Sequence, residues 1–247
     1  TDDQEEVVEQ FTKYDLICMP VVDREDRLVG IITVDDVVDV MEDETTEDIE
    51  KMAAIIPSDK TYMRSSIFDI FKKRIPWLLL LMVSATFTGM IISYYESQLG
   101  AMLCLTAFIP MLMDSSGNAG SQSSVTIIRG LSLNEIEFSD LLRVIWKEIR
   151  VAVLCGIALA GACFAKIMIV DNLILHTAGV TPLVALAVSL TLIVTIVFAK
   201  LVGCTLPMFA QKVGLDPAVM ASPFITTIVD AIALLTYFRI ACWLLPL

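Results

Sequence analysis

The sequence predicts an α-helical integral membrane protein, with five membrane-spanning helices preceded by a partial α/β module that is strongly acidic. Of the 247 residues 56% are hydrophobic, and the mean hydropathy of +0.75 exceeds that of ordinary soluble domains. The charge is also uneven: residues 1–60 hold nineteen acidic and five basic side chains, whereas residues 61–247 are nearly neutral. Such a negative module disfavours nucleic acid as a partner and attracts cations.

The acidic module reads as helix, strand, turn, strand and helix. Apolar spacing predicts a helix over residues 5–14, two short apolar runs at 17–22 and 28–32 predict strands, and Thr33 is placed to cap a helix over 34–41. With the motif PVVDREDRLVGIITVDDVVDV, this order resembles the closing half of a cystathionine-β-synthase (CBS) domain. The resemblance implies a regulatory module in residues 1–57, with adenine nucleotide as a candidate ligand whose site needs further sequence.

A run of carboxylates follows the second strand. Like charges three or four residues apart destabilise a helix unless something neutralises them. Two interpretations are open: a solvated acidic face, or a sensor for divalent cations, which prefer carboxylate oxygens. We favour the sensor, because the run ends just before a membrane-entering helix. The run comprises Asp35, Asp36, Asp39, Glu42, Asp43, Glu44, Glu47, Asp48 and Glu50.

An amphipathic helix over residues 58–74 is predicted to connect this module to the membrane domain, residues 75–247. A spanning helix needs about 20 predominantly apolar residues. Residues 134–150 mix apolar and charged side chains and are predicted to form an interfacial helix. The five predicted spans are residues 75–95, 99–129, 151–170, 181–208 and 218–245.

Basic residues predict the orientation of the spans. The connections at 96–100 and 171–180 contain no Lys or Arg, so the basic loops share one side if the N-terminus is cytoplasmic and the C-terminus outside. The chain also begins without Met inside an acidic segment, which suggests a piece of a longer protein. The basic loop residues are Lys72, Lys73, Arg74, Arg129, Arg143, Lys147, Arg150 and Lys212.

The second span carries a polar run, DSSGNAGSQSS, at residues 114–124. In hydrocarbon, irregular polar backbone survives only where it is buried in protein or lines a wet cavity. The run is therefore predicted to break the helix near Gly117 and Asn118 and to line an aqueous pathway. Asp114 is expected either to line this pathway or to cap the second half of the broken helix.

Two aspartates mark the fifth span. Asp216 precedes Pro217 and reads as a helix cap, whereas Asp230 lies deep in an apolar sequence. At helical geometry they are about 21 Å apart with about 40° of rotation, and Thr226 shares their face. Asp230 could be a protonated or hydrogen-bonded structural residue. We favour a ring that attracts cations, with one Asp230 from each subunit around a shared pore.

Four segments together resemble the bacterial MgtE family of magnesium channels: TVDDVVDVMEDETTEDIEKMA, KKRIPWLLLLM, PMLMDSSGNAGSQSSVTIIRGL and DPAVMASPFITTIVD. The resemblance covers nearly the whole chain. It implies a homodimer of five-helix subunits in the bacterial cell membrane, with a pore along the dimer axis. Asp230 matches the aspartate that selects hydrated Mg²⁺, Asp216 matches the one that opens the fifth helix, and the polar run matches from Asn118 to Ser121.

The same resemblance implies regulation by Mg²⁺, which binds between the CBS domains and the connecting helices and holds the pore shut when cytosolic Mg²⁺ is plentiful. The family's N-terminal helical domain and first CBS unit are missing from this sequence, so weaker gating is expected. The matching carboxylates are Asp3, Glu5, Asp15, Asp36, Asp39, Glu44, Glu47 and Asp48.

Two alternatives are open. Oxygen ligands also suit Mn²⁺ or Co²⁺, carried by a channel or by a coupled carrier. An intramembrane aspartyl protease could use Asp114 and Asp230 as a dyad that shares a proton. Neither aspartate has the glycine-flanked setting of such enzymes, and the acidic module would be unexplained. The prediction is therefore a transport protein and not an enzyme.

Overall fold

The computed structural model describes residues 3–58, 60–95, 103–220 and 222–245. The acidic module comprises helix α1 (Gln4–Tyr14), strands β1 (Cys18–Val22) and β2 (Leu28–Thr33), and helix α2 (Val34–Met52). The strands pair antiparallel, with Pro20 opposite Ile31. The turn between them is closed by the Asp23 carboxylate, which accepts hydrogen bonds from two backbone N–H groups. This is the element order that the sequence predicts.

Helix α2 continues through the acidic run instead of ending at residue 41. Its start is fixed by Asp36, whose carboxylate accepts hydrogen bonds from the Thr33 backbone N–H at 2.9 Å and hydroxyl at 2.7 Å. The like charges are tolerated because they divide between an exposed side and a half-buried side of the helix. On the half-buried side, the Lys51 ammonium lies 2.5 Å from the Glu47 carboxylate and offsets part of the repulsion.

The connecting helix predicted over residues 58–74 is wrong in its bounds. One 3₁₀ turn (Tyr62–Arg64) precedes helix α3, which runs from Ile67 to Tyr94 without a break at Arg74. Ser66 caps α3 by accepting a hydrogen bond from the Asp69 backbone N–H at 3.2 Å. The second half of the predicted connection and the first span are therefore one helix.

The remaining helices pack side by side around α6. A 3₁₀ segment (Leu103–Phe108) leads into α4 (Ile109–Ser132), and a 3₁₀ turn (Phe138–Asp140) leads into α5 (Leu141–Lys166), which a π-helix (Ile167–Ile174) continues. Helix α6 (Pro182–Lys212) starts at a Thr181 cap, and a 3₁₀ turn (Pro217–Met220) precedes α7 (Ser222–Leu244). The start of the predicted second span, residues 99–102, lies outside the described residues.

Four helical segments of the described chain are long and apolar enough to cross a membrane: Ile67–Tyr94, Phe138–Ile174, Pro182–Lys212 and Pro217–Leu244. They agree with a multi-pass membrane protein. The polar run keeps α4 out of this group, so the five-helix count stays a prediction.

The predicted break in the second span is wrong, because α4 is a continuous α-helix through Gly117 and Gly120. Its backbone groups are satisfied within the helix and need no wet cavity. The glycines serve close packing instead: a Cβ on Gly203 of α6 would overlap the Gly120 carbonyl, and a Cβ on Gly120 would lie 3.1 Å from the Ala199 carbonyl oxygen. Asp114 is therefore a residue within a helix and not the cap of a second half-helix.

The separate interfacial helix predicted over residues 134–150 is also wrong. Most of this segment is the first part of α5, which runs on into the third span. Its apolar side chains find protein partners at the ends of α4 and α6, where Ile136, Phe138, Leu141 and Ile145 pack around a buried cluster. That cluster comprises Ile127, Leu131, Val144, Cys204 and Met208.

A buried hydrogen bond anchors the far part of α7. The Tyr237 hydroxyl, fully buried, donates to the Leu105 carbonyl oxygen at 3.0 Å. Leu105 belongs to the 3₁₀ segment that precedes α4. This bond therefore fixes α7 against the start of α4.

Gly203→Ala is expected to lower the thermal stability of the purified protein, because the new methyl group would overlap the Gly120 carbonyl and push α6 away from α4. Overpacking of this kind costs about 1–3 kcal/mol. The measurement is the unfolding midpoint in detergent. Gly161→Ala is the matched control, since nothing lies within 4 Å of a Cβ at that helical position and its midpoint should stay or rise. Equal midpoints for the two variants would contradict the close crossing.

Candidate functional site

An open recess of about 470 Å³ lies between α4 and α7. Four of the residues predicted to form a pore line it together: Asp114 and Asn118 from α4, and Thr226 and Asp230 from α7. The rest of its wall is formed by Ile109, Pro110, Met113 and Gly117. The other two predicted pore residues, Ser121 and Asp216, lie outside this lining.

Helix periodicity and one glycine explain the lining. Asp114 and Asn118 are four residues apart and both exposed on one side of α4, and Thr226 and Asp230 have the same spacing on α7. Between them Gly117 admits α7: a Cβ there would lie 3.2 Å from the Thr226 Cγ2 and 3.9 Å from the Asp230 Oδ1. The Thr226 hydroxyl donates to the Pro223 carbonyl at 3.0 Å, which fixes its rotamer.

The recess suits a small, hydrated, doubly charged cation. Two carboxylates supply negative charge, and an amide and a hydroxyl supply further oxygens, the donors that hard cations prefer. Six waters of ~30 Å³ each occupy roughly 180 Å³. An ion with its first hydration shell therefore fits a volume of about 470 Å³.

Asp216 lies outside the recess that Asp230 lines. Its Oδ1 accepts a hydrogen bond from the Ala218 backbone N–H at 2.8 Å, as expected of a cap, and its Oδ2 lies 2.6 Å from the Lys51 Nζ. The predicted single stripe from Asp216 to Asp230 is wrong, because residues 217–220 form a 3₁₀ turn and Asp216 pairs with α2 instead of lining the recess.

Acidic groups gather around Asp216. Burial, followed by the neighbouring carboxylates, raises the pKa of Glu5, Glu44 and Asp48; the strongest neighbour is Glu44 for Glu5, Glu47 for Glu44, and Asp216 for Asp48. The structure thus brings together five of the eight carboxylates expected to be regulatory: Asp3, Glu5, Glu44, Glu47 and Asp48.

The other three expected regulatory carboxylates lie elsewhere in the module. Asp15 ends α1 in a left-handed conformation with φ 50°, and Asp39 is exposed in the first half of α2. The Asp36 carboxylate accepts the hydrogen bonds that fix the start of α2. These bonds, from the Thr33 backbone N–H and hydroxyl, lower the pKa of its carboxyl. Within residues 3–58, 60–95, 103–220 and 222–245, no three His, Cys, Asp or Glu side chains are arranged to hold a metal ion.

Lys51 and Met52 join α2 to the helices of the recess. Burial disfavours the charge on Lys51, but its hydrogen bonds to Asp216 and Glu47 outweigh burial and raise its pKa. Beside it, Met52 packs against Ile128 of α4 and Ala218 of the 3₁₀ turn that precedes α7. The acidic module therefore contacts α4 and the segment that leads into α7.

The sequence analysis missed a buried ionic cluster formed by Ser123 of α4, Glu148 of α5 and Lys200 of α6. Lys200 is 5% exposed, and its Nζ lies 3.3 Å from the Ser123 Oγ and 3.6 Å from the Glu148 Oε2. The Ser123 hydroxyl also donates to the Glu148 carboxylate. The signal was present in the sequence, since a lysine within the apolar fourth span needs a counter-charge.

Protein-family models match both parts of this chain. Residues 109–240 match the MgtE family model, described as a divalent cation transporter, and residues 1–43 match the CBS domain. The first match includes every residue that lines the recess. It also confirms the resemblance found in the sequence.

The chain is also similar to proteins named magnesium transporter MgtE. The protein of Thermus thermophilus is 37% identical over 98% of this chain and 52% of its own length. For the proteins of Bacillus subtilis and Enterococcus faecalis, the identities are 37% and 35%, in each case over 97% of this chain and 51% of the relative. The chain spans about half the length of these curated relatives. Since the family model matches more than half of the chain, the chain belongs to the MgtE family of divalent cation transporters.

Proposed function

We propose that the chain carries Mg²⁺ across the bacterial cell membrane along a pathway that includes the recess between α4 and α7. One observation carries the proposal: Asp230 shares the recess with Asp114, Asn118 and Thr226. The first two of these partners come from α4 and Thr226 from α7, two helices that are far apart in the sequence. The names of the relatives support Mg²⁺ as the ion.

Asp230 is the group that attracts the ion. Mg²⁺ gives up its water reluctantly, so a carboxylate accepts hydrogen bonds from the hydration shell at less cost than it replaces a water. Asn118 and Thr226 contact the same shell from the sides. Conduction needs binding that is favourable enough for entry and weak enough for exit, and contact through water meets both demands.

The pathway is completed by a second copy of the chain. The recess is open on one side, so a twofold axis beside α4 and α7 would bring two Asp230 carboxylates to face the same ion. The distribution of basic loops favours a cytoplasmic N-terminus and a cytoplasmic acidic module. In this arrangement the module samples cytosolic ions.

The cluster around Asp216 supports control by cytosolic Mg²⁺. Its carboxylates repel one another across the contact between α2 and the start of α7, and Lys51 offsets only part of this repulsion. A divalent ion held through its hydration water would neutralise the rest and stabilise the contact. The stabilised contact would be the closed state. Adenine nucleotide would require CBS sequence beyond residues 1–43, the part that matches the domain.

The same oxygens accept Mn²⁺ and Co²⁺, so the ion assignment is tested by competition. The protease alternative is set aside, because the family to which the chain belongs is one of transporters and not of enzymes.

Asp230→Asn is expected to reduce Mg²⁺ uptake into proteoliposomes by at least about tenfold, because the amide keeps the shape of the side chain but loses the charge that draws the ion in. Uptake is followed with a fluorescent Mg²⁺ indicator, with Mn²⁺, Co²⁺ and Ca²⁺ as competitors. The matched control is Glu135→Gln, which neutralises an exposed carboxylate after α4. Uptake by Asp230→Asn at the parent rate would refute the pathway.

Combining Glu44→Gln with Asp48→Asn is expected to raise the cytosolic-side Mg²⁺ concentration that halves uptake, by about tenfold, because less charge remains for the ion to neutralise. The control combines Glu42→Gln with Asp43→Asn, which removes two exposed charges of the same helix. Equal shifts in both double variants would show that only the net charge of the module matters.

The stabilisation that Mg²⁺ gives should depend on pH. Because the pKa of Glu5, Glu44 and Asp48 is raised in the folded protein, lowering the pH from 7 towards the ordinary carboxyl range protonates these groups in the folded state before the unfolded state and relieves their repulsion. Mg²⁺ then has less to neutralise. The rise in unfolding midpoint on adding Mg²⁺ should be larger at pH 7 than at pH 5, and an equal rise at both would exclude these carboxylates as the Mg²⁺ site.

A further inference from the structure

The buried cluster of Ser123, Glu148 and Lys200 is the only ionic contact in the described residues that joins three of the packed helices α4, α5 and α6. The Lys200 ammonium donates to the Ser123 hydroxyl, and that hydroxyl donates to the Glu148 carboxylate. The side chains of Lys200 and Glu148 are 7% and 13% exposed, so water screens the pair little. Each charge therefore depends on the other for compensation.

The cluster lies on the side of α4 that faces away from the recess. At helical geometry Ser123 is rotated by about 180° from Asp114 and about 140° from Asn118. Any rotation of α4 about its axis that takes Ser123 away from its partners also turns Asp114 and Asn118 relative to Asp230. The ionic contact and the recess therefore lie on opposite sides of α4, and one rotation of the helix changes both.

The packing next to the cluster brings the backbones of α4 and α6 close together. One turn away, Gly203 and Gly120 bring the backbones of α6 and α4 into contact, which fixes their separation. Glycines offer no side chain to set the rotation of either helix. The hydrogen-bonded serine adds such a constraint, because its short side chain must face Glu148 and Lys200 to contact both.

We propose that the Glu148–Lys200 pair, acting through Ser123, sets the rotation of α4 and so positions Asp114 and Asn118 in the recess. Glu148 and Lys200 are positioning residues of the pathway, and they do not contact the ion. This inference rests on the proposed function, because it assigns a role in the same recess.

The test compares thiol reactivity at two positions that flank Asn118 on α4. Ser121 and Gln122 lie about 60° to one side and about 40° to the other. Ser121→Cys and Gln122→Cys are each reacted with a membrane-impermeant, positively charged thiol reagent, and reaction of the six native cysteines is subtracted with a parent that lacks the added thiol. A rotation changes the two rates in opposite directions, whereas loosening of the helix packing raises both.

The key variant combines Glu148→Gln with Lys200→Met, which removes both charges and leaves neither one uncompensated. Its ratio of rates at the two positions is expected to differ by at least about fivefold from that of the parent, and Mg²⁺ uptake is expected to fall by at least about tenfold. Arg143→Met is the matched control: it removes an exposed ion pair with Asp140 at 3.0 Å near the start of α5, and should leave ratio and uptake within about twofold of the parent.

An unchanged ratio in the double variant overturns the inference, as does a changed ratio with uptake at the parent rate. If the double variant does not fold, Ser123→Ala is measured by the same two criteria, since it removes the hydroxyl and keeps both charges. Asp230→Asn separates the two proposals. If Asp230→Asn loses uptake but the ratio of thiol reaction rates is unchanged in the double variant, only this inference is refuted. If Asp230→Asn retains uptake, the proposed function is refuted.

Discussion

The structure depends on one constraint: a helix as polar as α4 lies among apolar helices at low cost only where its polar side chains find protein or water. The buried Ser124 hydroxyl is an exception, since it has no hydrogen-bond partner among the described residues. The two sides of α4 meet this demand differently. Ser123 turns inward to a buried ion pair, while Asp114 and Asn118 turn to the open recess. Glycines make the arrangement possible, because Gly117 and Gly120 let α7 and α6 approach the helix backbone. The oxygens that an ion needs are exposed by this packing, without any break in the backbone.

The acidic module and the membrane helices form one connected system through a small contact. Met52 is apolar and packs against α4 and the turn before α7, whereas Lys51 and Asp216 form an ion pair beside it. The apolar contact of Met52 fixes the position at which the elements pack, and the surrounding carboxylates determine the stability of that contact. The contact thus combines a fixed position with a stability that depends on the charges around it.

Much of this could be predicted from the sequence, and the failures have physical causes. Composition and apolar runs predicted the membrane class, and helix spacing placed Thr226 on the same face as Asp230. The predicted helix break gave no such spacing for Asp114 and Asn118, which the continuous helix α4 brings to one side. The break at Gly117 was wrong because glycine serves close packing as readily as irregular backbone, and sequence alone does not separate the two uses. The predicted stripe from Asp216 to Asp230 was wrong because residues 217–220 form a 3₁₀ turn, which interrupts the α-helical periodicity. Lys200 in the fourth span indicates that a counter-charge is needed, but the sequence does not identify Glu148 as its partner, because the two side chains meet only after the helices pack.

Two contacts constrain α7 and the segment before it. Asp216, six residues before the start of α7 at Ser222, pairs with Lys51 of α2, and the Tyr237 hydroxyl donates a hydrogen bond from the far part of α7 to the Leu105 carbonyl. With about 1.5 Å of rise per residue, Asp230 is roughly 10 Å and the helix start at Ser222 roughly 22 Å from Tyr237. A tilt about that fulcrum displaces the Asp230 backbone by about half as much as the helix start. If α7 moves as a rigid body, a shift at its start is therefore accompanied by a smaller, geometrically fixed shift of Asp230 in the recess.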